Sequence, residues 1–205
     1  MKHFLALLST LLLAPLAALP AAELDVTAPR DFQVVQRVTP TKGTIRLAGR
    51  LAEDSPQEAV VETRFIGSPP KTETAWQKLN ARVSGRALSG LLEAPAGGWW
   101  KLEVRVLHLN KVLAAGSVEH VGVGEVFVVA GQSNSANHGE EKLTPQSGRV
   151  ASFDGMNWRL ANDPQPGVSG NGGSFLPAFG DAVVAKQDVP VGIVACGIGA
   201  TSVRE

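Results

Sequence analysis

Two short polar turns hold the residues with the most chemistry to offer. Residues 131–139 read Gly-Gln-Ser-Asn-Ser-Ala-Asn-His-Gly, and residues 196–202 read Cys-Gly-Ile-Gly-Ala-Thr-Ser. The first turn presents a hydroxyl, Ser133, beside Gln132 and Asn134. The second presents backbone N–H groups at Gly197, Gly199 and Ala200 with little side chain to obstruct them. A serine that attacks an ester needs such donors, because the carbonyl oxygen turns negative in the tetrahedral intermediate. Each donor aimed at that oxygen contributes ~3 kcal/mol. Small residues also let an acyl group approach the backbone closely.

A general base is harder to find. His138 lies five residues after Ser133, a spacing that rarely gives productive pairing with the same serine. It reads instead as a loop histidine rimming a pocket. His108 falls in a β-run, and His120 belongs to a junction. The single cysteine, Cys196, excludes an internal disulfide framework and a cysteine-based zinc cluster. Its apolar setting reads as a buried strand end, so a core role is expected rather than a nucleophilic one.

Both turns follow apolar runs. Residues 126–130 are apolar on both faces, as a strand covered on both sides should be. Residues 189–195 form a second such strand. Between them 144–173 reads as irregular, then Ser174 reads as a helix N-cap with Pro177 in the first turn. Phe175, Phe179, Ala182 and Val183 fall on one helical face, and the helix should stop around Gln187. Strand, crossover helix, strand is a parallel β-α-β unit. Ligands of such sheets bind beyond the carboxyl ends of the strands, where adjacent strands would make the two turns face each other.

Upstream, period-two apolar runs recur at 32–38, 44–48, 59–66 and 102–109, broken by Gly and Pro. They indicate a β-sandwich-like domain. In the last run Leu102, Val104 and Val106 share the face expected to be buried. Of Trp99 and Trp100, one is expected in the core and the other in packing between domains, rather than as a sugar platform. Residues 1–22 run basic (Lys2, His3), then apolar, then small, the order of a secretory signal peptide with cleavage near Ala22. Pro15 interrupts the apolar run, which argues against a retained membrane anchor. The expected organisation is a signal peptide at 1–22, a β-sandwich-like domain at 23–120 and an α/β domain at 121–205. Only two strands and one helix of the last are evident, so the chain reads as the front part of a longer protein. The 205 residues are 44% hydrophobic and 19% charged, which excludes a disordered tail. Lys+Arg and Asp+Glu are 19 each, so no basic field draws the protein to nucleic acid or anionic lipid.

Residues 124–134, Gly-Glu-Val-Phe-Val-Val-Ala-Gly-Gln-Ser-Asn, resemble the first block of the sialate O-acetylesterase branch of the SGNH hydrolases. Residues 191–203 resemble its second block, usually Gly-Gly-Thr-Ser. Residues 97–105, Gly-Gly-Trp-Trp-Lys-Leu-Glu-Val-Arg, are similar to the end of the β-domain that precedes the hydrolase domain in bacterial members. The resemblance spans roughly 94–205. It implies a flavodoxin-like, parallel three-layer hydrolase fold, of which this chain holds a truncated N-terminal part. It assigns the nucleophile to Ser133, and the oxyanion hole to the N–H groups of Ser133 and of Gly199 or Ala200. Gln132, Asn134 and Thr201 become candidates to line the substrate pocket. Two departures stand out: Ser135 replaces the usual Met, and Ala200 replaces a Gly. The alanine keeps its N–H, provided its backbone angle suits a residue with a β-carbon. The family's catalytic His and Asp are expected beyond residue 205.

The implied activity is an exported, secreted or periplasmic, carbohydrate O-acetylesterase working through an acyl-enzyme. Its substrate would be an O-acetylated carbohydrate, with no metal or organic cofactor and no stable membrane insertion after signal cleavage. A secreted glycan-binding or scaffold protein without turnover is the competing reading. Gly197-x-Gly199-x-x-Ser202 lacks the third glycine of a dinucleotide loop. Residues 167–173, Gly-Val-Ser-Gly-Asn-Gly-Gly, read as a flexible active-site loop or linker rather than an anion cradle.

Overall fold

The computed structural model describes residues 21–56, 58–67 and 72–202. The expected signal segment therefore falls, but for its last two residues, outside the described residues. Among those described, no helix is long and apolar enough to cross a membrane.

Among the described residues twelve strands form the scaffold: β1 (Ala22–Ala28), β2 (Gln33–Thr39), β3 (Lys42–Leu51), β4 (Val60–Gly67), β5 (Gln77–Leu79), β6 (Ala81–Ser84), β7 (Ala87–Pro95), β8 (Gly97–His108), β9 (Lys111–Val129), β10 (Val150–Phe153), β11 (Trp158–Leu160) and β12 (Val191–Ala195). One α-helix, α1 (Leu176–Gln187), precedes β12. All twelve strands belong to one mixed sheet. This overturns the expected fold class. The chain is not a β-domain followed by the start of a parallel three-layer α/β hydrolase; it is dominated by strands, with α1 the one α-helix among the described residues.

The first nine strands fold the sheet over on itself. One layer runs β6-β7-β3, and the other runs β5-β4-β8-β9. β1 and β2 pair antiparallel with β3 and parallel with β9, which ties the layers together. Alternation builds the core between them: Ile45 and Leu47 from β3 meet Leu102, Val104 and Val106 from β8, each no more than 1% exposed. The expected buried face of 102–106 is thus the observed one. On the opposite face Arg64 pairs with Glu103 and Arg105 with Glu62, and both guanidinium groups lie over the Trp76 ring.

β9 continues past this core. Its residues 125–129 pair parallel with β12, and β10 then extends the sheet parallel to β12, with β11 antiparallel at the edge. The parallel pairing of the two apolar runs agrees with the sequence. β10 and β11, however, occupy a stretch expected to be irregular. A second, smaller core gathers Val150, Leu176, Val184, Val191 and Ile193. The helix begins one turn-position after the expected cap: Phe175 is the N-cap residue, and the Ser174 hydroxyl accepts the Leu176 N–H at 3.3 Å. Its buried face is Leu176, Pro177, Gly180 and Val184. The expected face is instead turned largely outward, with Phe175 45% exposed. Gly180 explains the rotation, because without a side chain it lets α1 settle against Val150.

Candidate active site

Ser133 stands four residues beyond the end of β9, at the start of a 3-10 turn spanning Ser133–Ser135. Its φ is +31°, a left-handed angle that costs a residue with a β-carbon of order 1 kcal/mol or more. The turn is fixed by its own amides: Ser135 N–H donates to Gln132 O at 2.9 Å, and His138 N–H to Ser133 O at 3.1 Å. Ser135 is buried and its hydroxyl also donates to Gln132 O. Ser133 is half-buried, and its hydroxyl donates to Gln132 Oε1 at 2.6 Å rather than to a histidine ring.

The second turn meets the first because β12 lies beside β9. Cys196 N–H donates to Val129 O at 2.9 Å, and Ile198 N–H donates to Gly131 O at 3.0 Å, so the ladder runs on into both turns. Gly197 must be glycine here, since a β-carbon would lie 2.8 Å from Ser135 O. Thr201 closes the turn by donating its hydroxyl to Ile198 O at 2.8 Å. Ala200 sits at φ +60°, where glycine would be unstrained. Gln132, Asn134, Ala200 and Thr201 are exposed around this rim, and Asn134 accepts the Phe175 N–H at 3.3 Å.

A third segment joins them. Residues 165–174 fold back over the 131–139 turn: Gly170 N–H donates to Ala136 O, Gly172 N–H to Asn137 O, and Gly139 and Gly173 bridge antiparallel. Buried Asn137 exchanges two bonds with the Gln165 backbone, at 2.7 and 2.8 Å. The Asp163 carboxylate gathers Leu143 N–H, Ser174 N–H, the Ser174 hydroxyl and the Gln165 amide. This loop delivers Ser169, whose hydroxyl accepts the Gly199 N–H at 3.3 Å and lies 3.4 Å from His138 Nε2. The exposed His138 ring packs so tightly on Gly199 that a β-carbon there would sit 2.6 Å from Nε2. Sequence reasoning did not single out Ser169; the only signal was its place in the glycine-rich 167–173 run. Cys196, expected in the core, is exposed, because β12 ends at Ala195 and the chain turns outward.

The arrangement supplies a hydroxyl on a strained turn and an amide donor on the neighbouring turn, whose present acceptor is Ser169. Among the described residues no cluster of three or more His, Cys, Asp or Glu could hold a metal. The other described histidines, His108 on β8 and His120 on β9, lie elsewhere. His120 contacts Asp31 at 3.1 Å and stacks on Phe32, with Trp99 edge-on to both rings. Trp99 also donates its indole N–H to Gly148 O at 2.8 Å, joining the two halves, while Trp100 packs on the larger core.

No protein-family model matches this chain, and no curated protein does. Among solved structures it is similar in part to the alkylpurine DNA glycosylase AlkC of Pseudomonas fluorescens bound to DNA containing an abasic site analog. That match has 16% identity over 50% of this chain and 31% of the other, with a TM-score of 0.28. It is similar likewise to the β-glucosidase of Kluyveromyces marxianus in complex with glucose, with 18% identity over 48% of this chain and 14% of the other and a TM-score of 0.23. The chain thus spans less than a third of either protein. Likeness at such scores carries no argument about fold or activity.

Proposed function

We propose that this chain belongs to an exported, serine-dependent carbohydrate O-acetylesterase in which Ser133 is the nucleophile. One observation carries the reading: Ser133 is held at φ +31° just beyond β9, on a turn latched by the Ile198–Gly131 bond to a glycine-rich neighbour. In the proposed reaction the hydroxyl leaves Gln132 Oε1, loses its proton to a general base and attacks the acetyl carbonyl carbon. The oxygen's charge is met by the N–H of Ser133 and by that of Gly199 or Ala200, the Gly199 N–H becoming free once Ser169 gives way. Collapse breaks the bond to the sugar oxygen, which takes the proton, and water then releases acetate from the acetyl-serine. Among the described residues the histidine of these turns, His138, has its Nε2 against Ser169 rather than Ser133. The choice of an O-acetylated sugar as acyl donor rests on the likeness of 124–134 and 191–203 to esterase blocks.

A glycan-binding protein without turnover is the second reading. It is favoured by the internal partners that Ser133 Oγ and Gly199 N–H already have. The two separate on one experiment with the protein translated from its whole reading frame. Hydrolysis of p-nitrophenyl acetate and release of acetate from O-acetylated sugars are expected to fall ~1,000-fold or more in Ser133→Ala. Equal rates in the variant and the parent would reject the esterase.

A further inference from the structure

A cleft of about 530 Å³ lies between β1, the first half of β9 and the β10–β11 turn. Its polar lining comes from Thr27, Arg30, Asp31, Ser117, Glu119 and Asn157, and Trp158 also borders it. None of these residues belongs to the Ser133 turns.

The lining is held in place by bonds among its own members and to neighbours outside the cleft. Asp31 Oδ1 accepts the His120 N–H at 2.8 Å, and the adjacent Phe32, at φ +60°, is clamped by stacking on His120 at 4.2 Å. A bulky residue in that angle is strained and persists only where its surroundings hold it. Asn157 is oriented by its N–H bond to Asp154 Oδ1 at 2.6 Å, and its side-chain oxygen accepts Arg30 Nη1 at 2.6 Å across the cleft. Trp158 lies over Gly192, whose missing side chain leaves the ring room, with Phe153 5.2 Å away. Lys101 Nζ holds Glu119 at 2.8 Å. A ligand would meet side chains already ordered, which removes much of the entropy cost of binding.

The chemistry of the lining selects the ligand. A carboxylate, an amide and a guanidinium are planar groups that match adjacent hydroxyls two at a time. Trp158, Val26 and Val118 give the lining an apolar part that suits the C–H face of a pyranose. Asp31 and Glu119 are matched by Arg30 and by Lys101 on Glu119, so the lining carries no net charge to draw a polyanion. We propose that this cleft is a binding site for a neutral oligosaccharide, separate from the Ser133 site and independent of the esterase reading.

Titration of the whole protein with xylohexaose, cellohexaose and chitohexaose, followed by calorimetry, tests it. At least one should bind below ~10 mM, and Ser117→Ala, Glu119→Gln and Asn157→Ala should each weaken it about tenfold. All three positions are exposed, so at least one variant is expected to keep the parental melting temperature. Ser133→Ala should bind as the parent does. No heat with any of the three sugars would overturn the proposal, as would unchanged affinity in the folded variants. Tighter binding of polygalacturonate than of every neutral probe would overturn the neutral class.

Discussion

Side by side, Ser133 at φ +31° and Ala200 at φ +60° show backbone strain gathered where the two turns meet. The alanine tests whether that strain is real. Ala200→Gly removes a β-carbon from the left-handed region, and the relief outweighs the added chain entropy by up to ~1 kcal/mol. The melting temperature should rise by ~2–4 °C; a fall would mean the angle is not held in solution. Ser169 offers a sharper test. Its hydroxyl accepts the Gly199 N–H that the esterase reading needs for the substrate oxygen. Ser169→Ala should therefore raise kcat/KM for p-nitrophenyl acetate several-fold, whereas a fall would make Ser169 part of the machinery. The turn at Gly-Gln-Ser-Asn was legible because a glycine and a run of polar residues cannot continue the apolar strand before it. Ser169 was not, since its bond to Gly199 spans 30 residues and leaves no local pattern. Cys196 was misread for a related reason: strand apolarity is readable, but the residue at which the chain turns out is not.

Helix α1 shows how one small residue redirects an element. The aromatic face of Phe175 and Phe179 looked like the core face, yet Gly180 sits where a β-carbon would overlap Cγ1 of Val150. Gly180→Ala gains ~1 kcal/mol of helix propensity but forces the helix off β10, for a net loss of ~1–2 kcal/mol. Denaturant unfolding of Gly180→Ala and of Gly180→Ala with Val150→Ala checks this: the second substitution should cost less in the alanine background than in the parent. The same helix anchors the loop before β10 through Asp181. Burial pushes that carboxyl up, but the Ser147 hydroxyl and the amides of Gln146 and Ser147 together prevail, so it lies below the ordinary aspartate value. A lowered carboxyl contributes stability above the unfolded-state value, ~4, and loses it as pH falls through the lower folded value. Denaturation midpoints from pH 7 to 2 should drop less steeply in Asp181→Asn than in the parent; parallel curves would remove Asp181 from the acid limb.

β9, 19 residues long, decides the architecture, because it pairs with strands of both cores. Gly116, Gly122 and Gly124 interrupt its apolar pattern, and the expected domain boundary between residues 120 and 121 falls inside it. Each of those glycines instead marks a close approach: Gly116 to Leu24, Gly122 to Trp99 and Pro190, Gly124 to the Pro190 carbonyl. Periodicity reports which face of a strand is buried, and it did so correctly for 102–106. It does not report which strand lies beside which, and pairing alone joins both halves into one mixed sheet. A strand shared by two cores should make them open together. Native-state hydrogen exchange should give the amides of β8 and β12 the same opening free energy. Gly124→Ala, whose β-carbon would overlap the Pro190 oxygen, should push β12 off β9. It should lower protection in β12, β10, α1 and β8 by the same amount. If β12 already exchanges through a smaller opening in the parent, the two cores are independent units, and β9 joins them only as a tether.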